Sequence, residues 1–204
     1  MSAIKELIKK YECNEPIILK DVKLNGISDI SIRQTFSRMA KQGQIKRYEQ
    51  GIYYIPSKKS GESKISARRV YEKKYICDEG EVYGFYSGHI LYRQVGIKSK
   101  TPDIIEIVTN KQKSRMRKIE NCEKNIIVRR ARVKINADNV KTLQFLELIN
   151  SLDIKKLSKE ERVSLDSYMK KQNLKKDEVA KYISKYPVKV ARDLIESGAF
   201  LRLT

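Results

Sequence analysis

Twenty-eight residues, Ser28 to Ile55, constrain this chain more than any others: SDISIRQTFSRMAKQGQIKRYEQGIYYI. Ile32, Phe36 and Met39 stand at i, i+4 and i+7, with Ala40 beside them, so they form one apolar stripe of a helix that has to be buried. Ser28 is placed to cap that helix by accepting from a free amide of the first turn, and Gly43 suits its left-handed stop. Beyond the stop, Ile45 to Tyr48 and Ile52 to Ile55 are two β-type runs around Glu49-Gln50-Gly51, and Pro56 ends the second as a ladder donor. The stretch is therefore expected to be a helix followed by a hairpin.

The face opposite the stripe carries Ser31, Arg33, Gln34, Ser37, Arg38 and Lys41. All six donate hydrogen bonds and none is acidic, which suits an electronegative partner. Upstream, Ile4, Leu7, Ile8 and Tyr11 form a second helical stripe, and Pro16 to Leu19 leads toward a short helix expected around Lys20 to Leu24, broken by Asn25-Gly26. Three helices and a hairpin in about sixty residues give the count of a winged helix-turn-helix. In that arrangement the six donors face the DNA major groove, and Lys46, Arg47 and Gln50 of the wing face the backbone or minor groove. The bland reading of the same pattern is a small α+β core with a solvated basic face.

The run RQTFSRMAKQGQIKRYEQGIYYIP resembles the winged-helix domain of AbiEi-type antitoxins, the regulatory half of the AbiE abortive-infection toxin–antitoxin systems of bacteria. GESKISARRVYEKKYI, YGFYSGHILYRQVGI, TPDIIEIVTN, IIVRRARV and LQFLELIN are similar to the second domain of one branch of that family. The resemblance covers about residues 1–150. It implies double-stranded operator DNA with inverted repeats as partner, compatible with a homodimer on the DNA. It also implies negative autoregulation in phage defence, and neutralisation of a nucleotidyltransferase-like toxin, either by direct binding or by action on its target.

Charge supports a polyanionic partner. The 204 residues include 44 basic and 25 acidic ones, a net charge of +19. The excess is 6 in residues 1–60, 9 in 61–135 and 4 in 136–204, so the middle of the chain is its most basic part. There, Lys111, Lys113, Arg115, Arg117 and Lys118 fall within eight residues, and Arg129, Arg130, Arg132 and Lys134 within six. They lie between and after two expected strands, Ile104 to Thr109 and Asn125 to Val133. If those strands pair, the clusters share a surface. That secondary basic surface suits phosphate contacts, docking of an acidic protein, or mere solvation.

The expected fold class is α+β: a winged helix-turn-helix at 1–58, then an AbiEi-like domain at 62–204, joined by the polar linker Ser57 to Ser63. The second domain comprises a mixed sheet over about 62–135 and a helical segment over about 136–204. Its first part has a helix start at Ile65 to Tyr75, a strand at Glu81 to Tyr86 and a short helix from Gly88 ending near Gly96. Its last part has a helix at Asn136 to Asn150, a capping box at Ser158 to Glu161, and helices at Lys175 to Lys185 and Pro187 to Ser197.

Chemistry is poorly represented. Cys13, Cys77 and Cys122 are scattered, and with one histidine in the chain no metal site of ordinary spacing is expected. His89, among Tyr83, Phe85, Tyr86 and Tyr92, has no Cys or acidic neighbour at a useful interval, and the rings read better as core than as a base-stacking platform. Pro102-Asp103 opens like a restriction-type nuclease motif, but the nearest acid-x-Lys, Asp153-Ile154-Lys155, is too far along. No Walker loop, Rossmann fingerprint or HExxH is present. No catalytic residue, metal or cofactor is expected. The chain reads as cytoplasmic and non-membrane, with no apolar run of spanning length. The rival reading is a protein-interaction module whose basic middle part clasps an acidic toxin, with DNA binding secondary.

Overall fold

A computed structural model of the protein describes residues 2–57, 65–99, 104–120 and 125–204. Pro102, Asp103, Cys122 and all of the expected linker except Ser57 lie outside the described residues. The fold is α+β. It divides into two compact units, Met1–Lys74 and Tyr75–Thr204.

The first unit contains α1 (Ser2–Lys9), β1 (Ile17–Ile18), α2 (Asp29–Lys41), β2 (Lys46–Glu49), β3 (Ile52–Tyr54) and, at its end, α3 (Ala67–Tyr75). The strands form an antiparallel sheet in the order β1-β3-β2. Ile4, Ile8, Ile17, Ile32, Phe36, Met39, Ile45 and Tyr53 make one core, with Leu7, Tyr11 and Ala40 of the two expected stripes half-buried against it.

The short helix expected around Lys20 to Leu24 is not formed. Ile17 and Ile18 pair instead with Tyr53 and Ile52, and the following residues make turns, Asp21 N–H donating to Ile18 O at 2.9 Å. Five residues stopped by Asn25-Gly26 cannot repay helix nucleation, whereas one buried side chain, Val22, anchors the turn to the core.

The division at Lys74 falls later in the chain than the linker from which the sequence starts a second domain. The physical reason is α3. Ile65 and Val70 pack with Ile52 and Tyr54 on the sheet face turned away from α2, and Glu49 accepts from Tyr71 Oη at 2.9 Å and Lys74 Nζ at 2.8 Å. Lys73 Nζ adds an ion pair to Glu15 at 2.6 Å. Helix α3 thus belongs with the first sheet.

The second unit begins with the short pair β4 (Cys77–Asp78) and β5 (Glu81–Val82). The single strand expected over Glu81 to Tyr86 is interrupted at Tyr83, because Tyr83 and Gly84 both turn their amides to Ile76 O. A Cβ at Gly84 would collide with the carbonyl oxygens of Tyr75 and Val108, so only glycine permits this close approach. There follow β6 (Gly84–Ser87), α4 (Gly88–Val95), β7 (Ile104–Thr109), β8 (Met116–Glu120) and β9 (Asn125–Arg130). They form a four-stranded mixed sheet, β6-β7-β9-β8, in which only β7 and β9 run parallel. Strand β8 occupies one edge.

Helices α5 (Val140–Ser151), α6 (Lys159–Gln172), α7 (Lys176–Ile183) and α8 (Val188–Glu196) complete the unit. Leu143, Leu146 and Ile149 of α5 share a core with Phe85 and Val108 of the sheet and with Leu165, Val179, Val190 and Leu194 of the other helices. The capping box forms in full: Ser158 Oγ accepts from Glu161 N–H, and the Glu161 carboxylate accepts from Ser158 N–H. Ser158→Ala should lower stability by about 1 kcal/mol, read as a lower urea midpoint at unchanged slope. Among the described residues no helix is long and apolar enough to cross a membrane.

Candidate nucleic-acid interface

Helix α2 starts where its cap dictates. Ser28 is extended and its Oγ accepts from Ser31 N–H at 3.2 Å. Ile32, Thr35, Phe36 and Met39 are buried, and the Phe36 ring meets the Tyr53 ring of β3 at 5.4 Å between centroids. One side of α2 is thereby fixed to the sheet. The other side, with Ser31, Arg33, Gln34, Ser37, Arg38 and Lys41, is exposed throughout.

Helical geometry sorts those residues. Gln34, Ser37 and Lys41 lie along the centre of the outer face, together with Ile30 at the preceding turn, while Arg33 and Arg38 lie on opposite flanks. Ile30 escaped the sequence reading, which treated this face as uniformly polar, yet it is 67% exposed. Ser31 sits nearer the margin, its Oγ 3.0 Å from Ser28 Oγ and so engaged in the cap. Two further cations were missed. A cleft of about 410 Å³ beside the start of α2 is lined by Lys20, Lys23 and Arg33 with Leu19, Asp29 and Ile32. Lys23 is ion-paired to Asp29, the acid of the first turn, at 3.1 Å.

In the hairpin, Lys46, Arg47 and Gln50 are all exposed. The turn between the strands passes through Gly51 at φ +79°, a left-handed conformation that favours glycine. Register separates the two cations. Arg47 is opposite Tyr53, whose face carries α2, whereas Lys46 is opposite Tyr54, whose face packs with α3. Arg47 therefore shares a side with α2 and Lys46 does not.

The secondary basic surface is partly assembled. Because β7 pairs with β9 and β8 folds back antiparallel on β9, Arg115, Arg129, Arg130 and Arg132 line one cleft of about 890 Å³. Lys185, from the turn between α7 and α8, joins them and was missed, since nothing local in the sequence marks a partner so far along the chain. The remaining members do not line the cleft, although Lys113 O accepts from Arg130 Nη1 at 3.3 Å. Lys111 stands 3.7 Å over the Tyr83 ring, Lys113 is exposed, and Arg117 and Lys118 are exposed on β8.

Arg129 is tied down more than its neighbours. Its Nη2 donates to Ser87 Oγ at 3.0 Å and Glu106 Oε2 at 3.3 Å, and its Nη1 pairs with Glu147 Oε1 at 2.7 Å. Arg132 is 4.0 Å from the other Glu147 oxygen and lies over the Tyr186 ring at 5.5 Å. Burial raises the Glu147 carboxyl above the usual range, against the lowering pull of Arg129 and Arg132.

His89 is buried, as are Tyr83, Phe85 and Tyr86, and Tyr92 Oη donates to Ser151 O at 2.9 Å. This grouping is a packed core. Among the described residues no cluster of His, Cys, Asp and Glu is arranged to hold a metal ion, and Cys13 and Cys77 are exposed free thiols. No protein-family model matches the chain, and a search of curated proteins finds no match to it.

Proposed function

We propose that this chain is a DNA-binding antitoxin of the AbiEi type that represses its own operon, with α2 as the recognition helix and the β2–β3 hairpin as the wing of a winged helix. The observation that carries the reading is the contrast between the two sides of α2: one locked on Phe36 and Tyr53, the other fully exposed, rich in donors and without an acid beyond the paired Asp29. Such a helix keeps its outer face rigid enough to read base edges. Gln34, Ser37 and Lys41 would face the bases, Arg33 and Arg38 the flanking phosphates, and Arg47 and Gln50 of the wing the neighbouring backbone. The antitoxin role and the nucleotidyltransferase-like toxin as its counterpart rest on the resemblance of the segments from Gly61 to Asn150. On this reading the chain acts by binding and is not an enzyme.

The test is a titration of the full chain against its own upstream promoter and a scrambled duplex, at two salt concentrations. Preference for the promoter that survives the higher salt supports a sequence reader. Equal, salt-sensitive binding to both reduces the charge to a general electrostatic footprint. Ile30 supplies a second prediction. An apolar side chain at the centre of a reading face suits a thymine methyl, so Ile30→Ala should weaken promoter binding by about 1 kcal/mol and leave binding to the scrambled duplex unchanged.

A further inference from the structure

We propose that the cleft of the second unit is a binding site for a small molecule carrying two or more phosphates, separate from the DNA-reading face. The cleft measures about 890 Å³, within the range of small-molecule sites and ample for a nucleotide. It lies on the sheet face that carries the cross-strand row Val108, Arg129 and Met116, with Arg130, Ala131 and Arg132 at the end of β9.

Its walls come from distant parts of the chain and are mainly basic. Arg115 precedes β8, Arg130 closes β9, Arg132 follows it, and Lys185 enters from the turn between α7 and α8. Arg115 and Arg130 are joined through the backbone, Arg130 N–H donating to Arg115 O at 3.2 Å. Among the described residues, neither they nor Lys185 have a carboxylate within ion-pair distance, and the one carboxylate lining the cleft, Glu147, is buried against Arg129. Arg115, Arg130 and Lys185 line one space without a paired carboxylate, with Arg132 beside them shared with Glu147, and cations so placed repel one another. A multiply charged anion turns that repulsion into binding.

Preorganisation distinguishes this place from a merely basic surface. Arg129, held by Ser87, Glu106 and Glu147, forms a fixed floor, and Arg132 is steered between Glu147 and the Tyr186 ring. Planar guanidinium groups can meet phosphate oxygens in pairs, which an ammonium group cannot. Val108, Met116 and Ala131 add an apolar lining, which a sugar or base could cover while the phosphates meet the arginines.

The test is calorimetric titration of the full chain with inorganic tripolyphosphate and with ATP at about 0.15 M salt, where weak exposed charge pairs are largely screened. One-to-one binding is expected with both probes. The Arg130→Gln/Lys185→Gln double variant should weaken it at least about tenfold, because two charge-assisted contacts are lost, and Arg115→Gln should act in the same direction. The thermal midpoint without probe should not fall, since all three side chains are exposed and neutralising them relieves their mutual repulsion. Arg38→Ala on α2, the control, should leave phosphate binding intact while weakening promoter binding. Absence of binding by both probes overturns the proposal, as does binding that the cleft variants do not change. Equal competition by a single-stranded oligonucleotide without terminal phosphates, at matched phosphate concentration, also overturns it and makes the cleft a groove for nucleic-acid backbone.

Discussion

Replacing Glu147 by alanine should cost about 3 kcal/mol of folding stability, visible as a lower urea midpoint with an unchanged slope. The Glu147 side chain is only 4% exposed, yet it faces two arginines. Its removal leaves Arg129 with Glu106 and Ser87 as partners but strips away the closest countercharge, and breaking a buried pair from one side costs about 3–5 kcal/mol. The retained Glu106 contact places the expectation at the lower end. Glu147→Gln separates packing from charge, because it keeps the volume and cannot ionise. In the native chain burial holds the Glu147 carboxyl above its ordinary value of 4.5, so between that value and the raised one the folded state keeps a proton that the unfolded state has released. This contribution to stability is present below about pH 4.5 and is lost as pH rises through the native value. Denaturation midpoints measured across the acid range should show that decline, and Glu147→Gln should flatten it.

Arg33→Ala and Arg38→Ala should each weaken promoter binding by about 1–3 kcal/mol if the side chain reaches a base edge. If it reaches a phosphate instead, the loss should be shared by promoter and scrambled DNA, and the dependence of log affinity on log salt should become shallower by about one unit per arginine. The flanking positions on α2 favour the phosphate outcome. The double variant should therefore lose most of its affinity at moderate salt while keeping its fold, since both side chains are exposed and the apolar stripe is untouched. Unchanged affinity in both single variants would remove α2 from the interface and leave the basic cleft as the chain's principal anion site.

Local chemistry decides what could be read from the sequence. The cap at Ser28, the stripe of Ile32, Phe36 and Met39, strand Ile104–Thr109 and the box at Ser158 are written within a few residues of one another, and each takes the expected form. Features made by distant partners were not legible. Ile17 and Ile18 look locally like the approach to a helix, because their strand identity depends on Ile52 and Tyr53. Met116–Glu120 carries no strand signal of its own: an outer strand with exposed Met116, Arg117 and Lys118 lacks the alternation that burial imposes. Glu147 passed as one polar position in the helix LQFLELIN, since its meaning comes from Arg129 on a strand eighteen residues earlier. Of the candidate site residues, those on α2 follow from helical period alone. The opposite faces taken by Lys46 and Arg47 require the register of the hairpin.

The position of β8 at the margin of its sheet has a consequence for the chain in a crowded solution. One rim of that strand carries backbone donors and acceptors that the sheet does not use, an invitation to a matching strand from another molecule. Arg117 and Lys118 stand on it, so two copies meeting rim to rim would bring like charges to within a strand spacing of about 4.8 Å. Part of the chain's positive charge therefore guards solubility by repulsion, whatever the rest of it attracts.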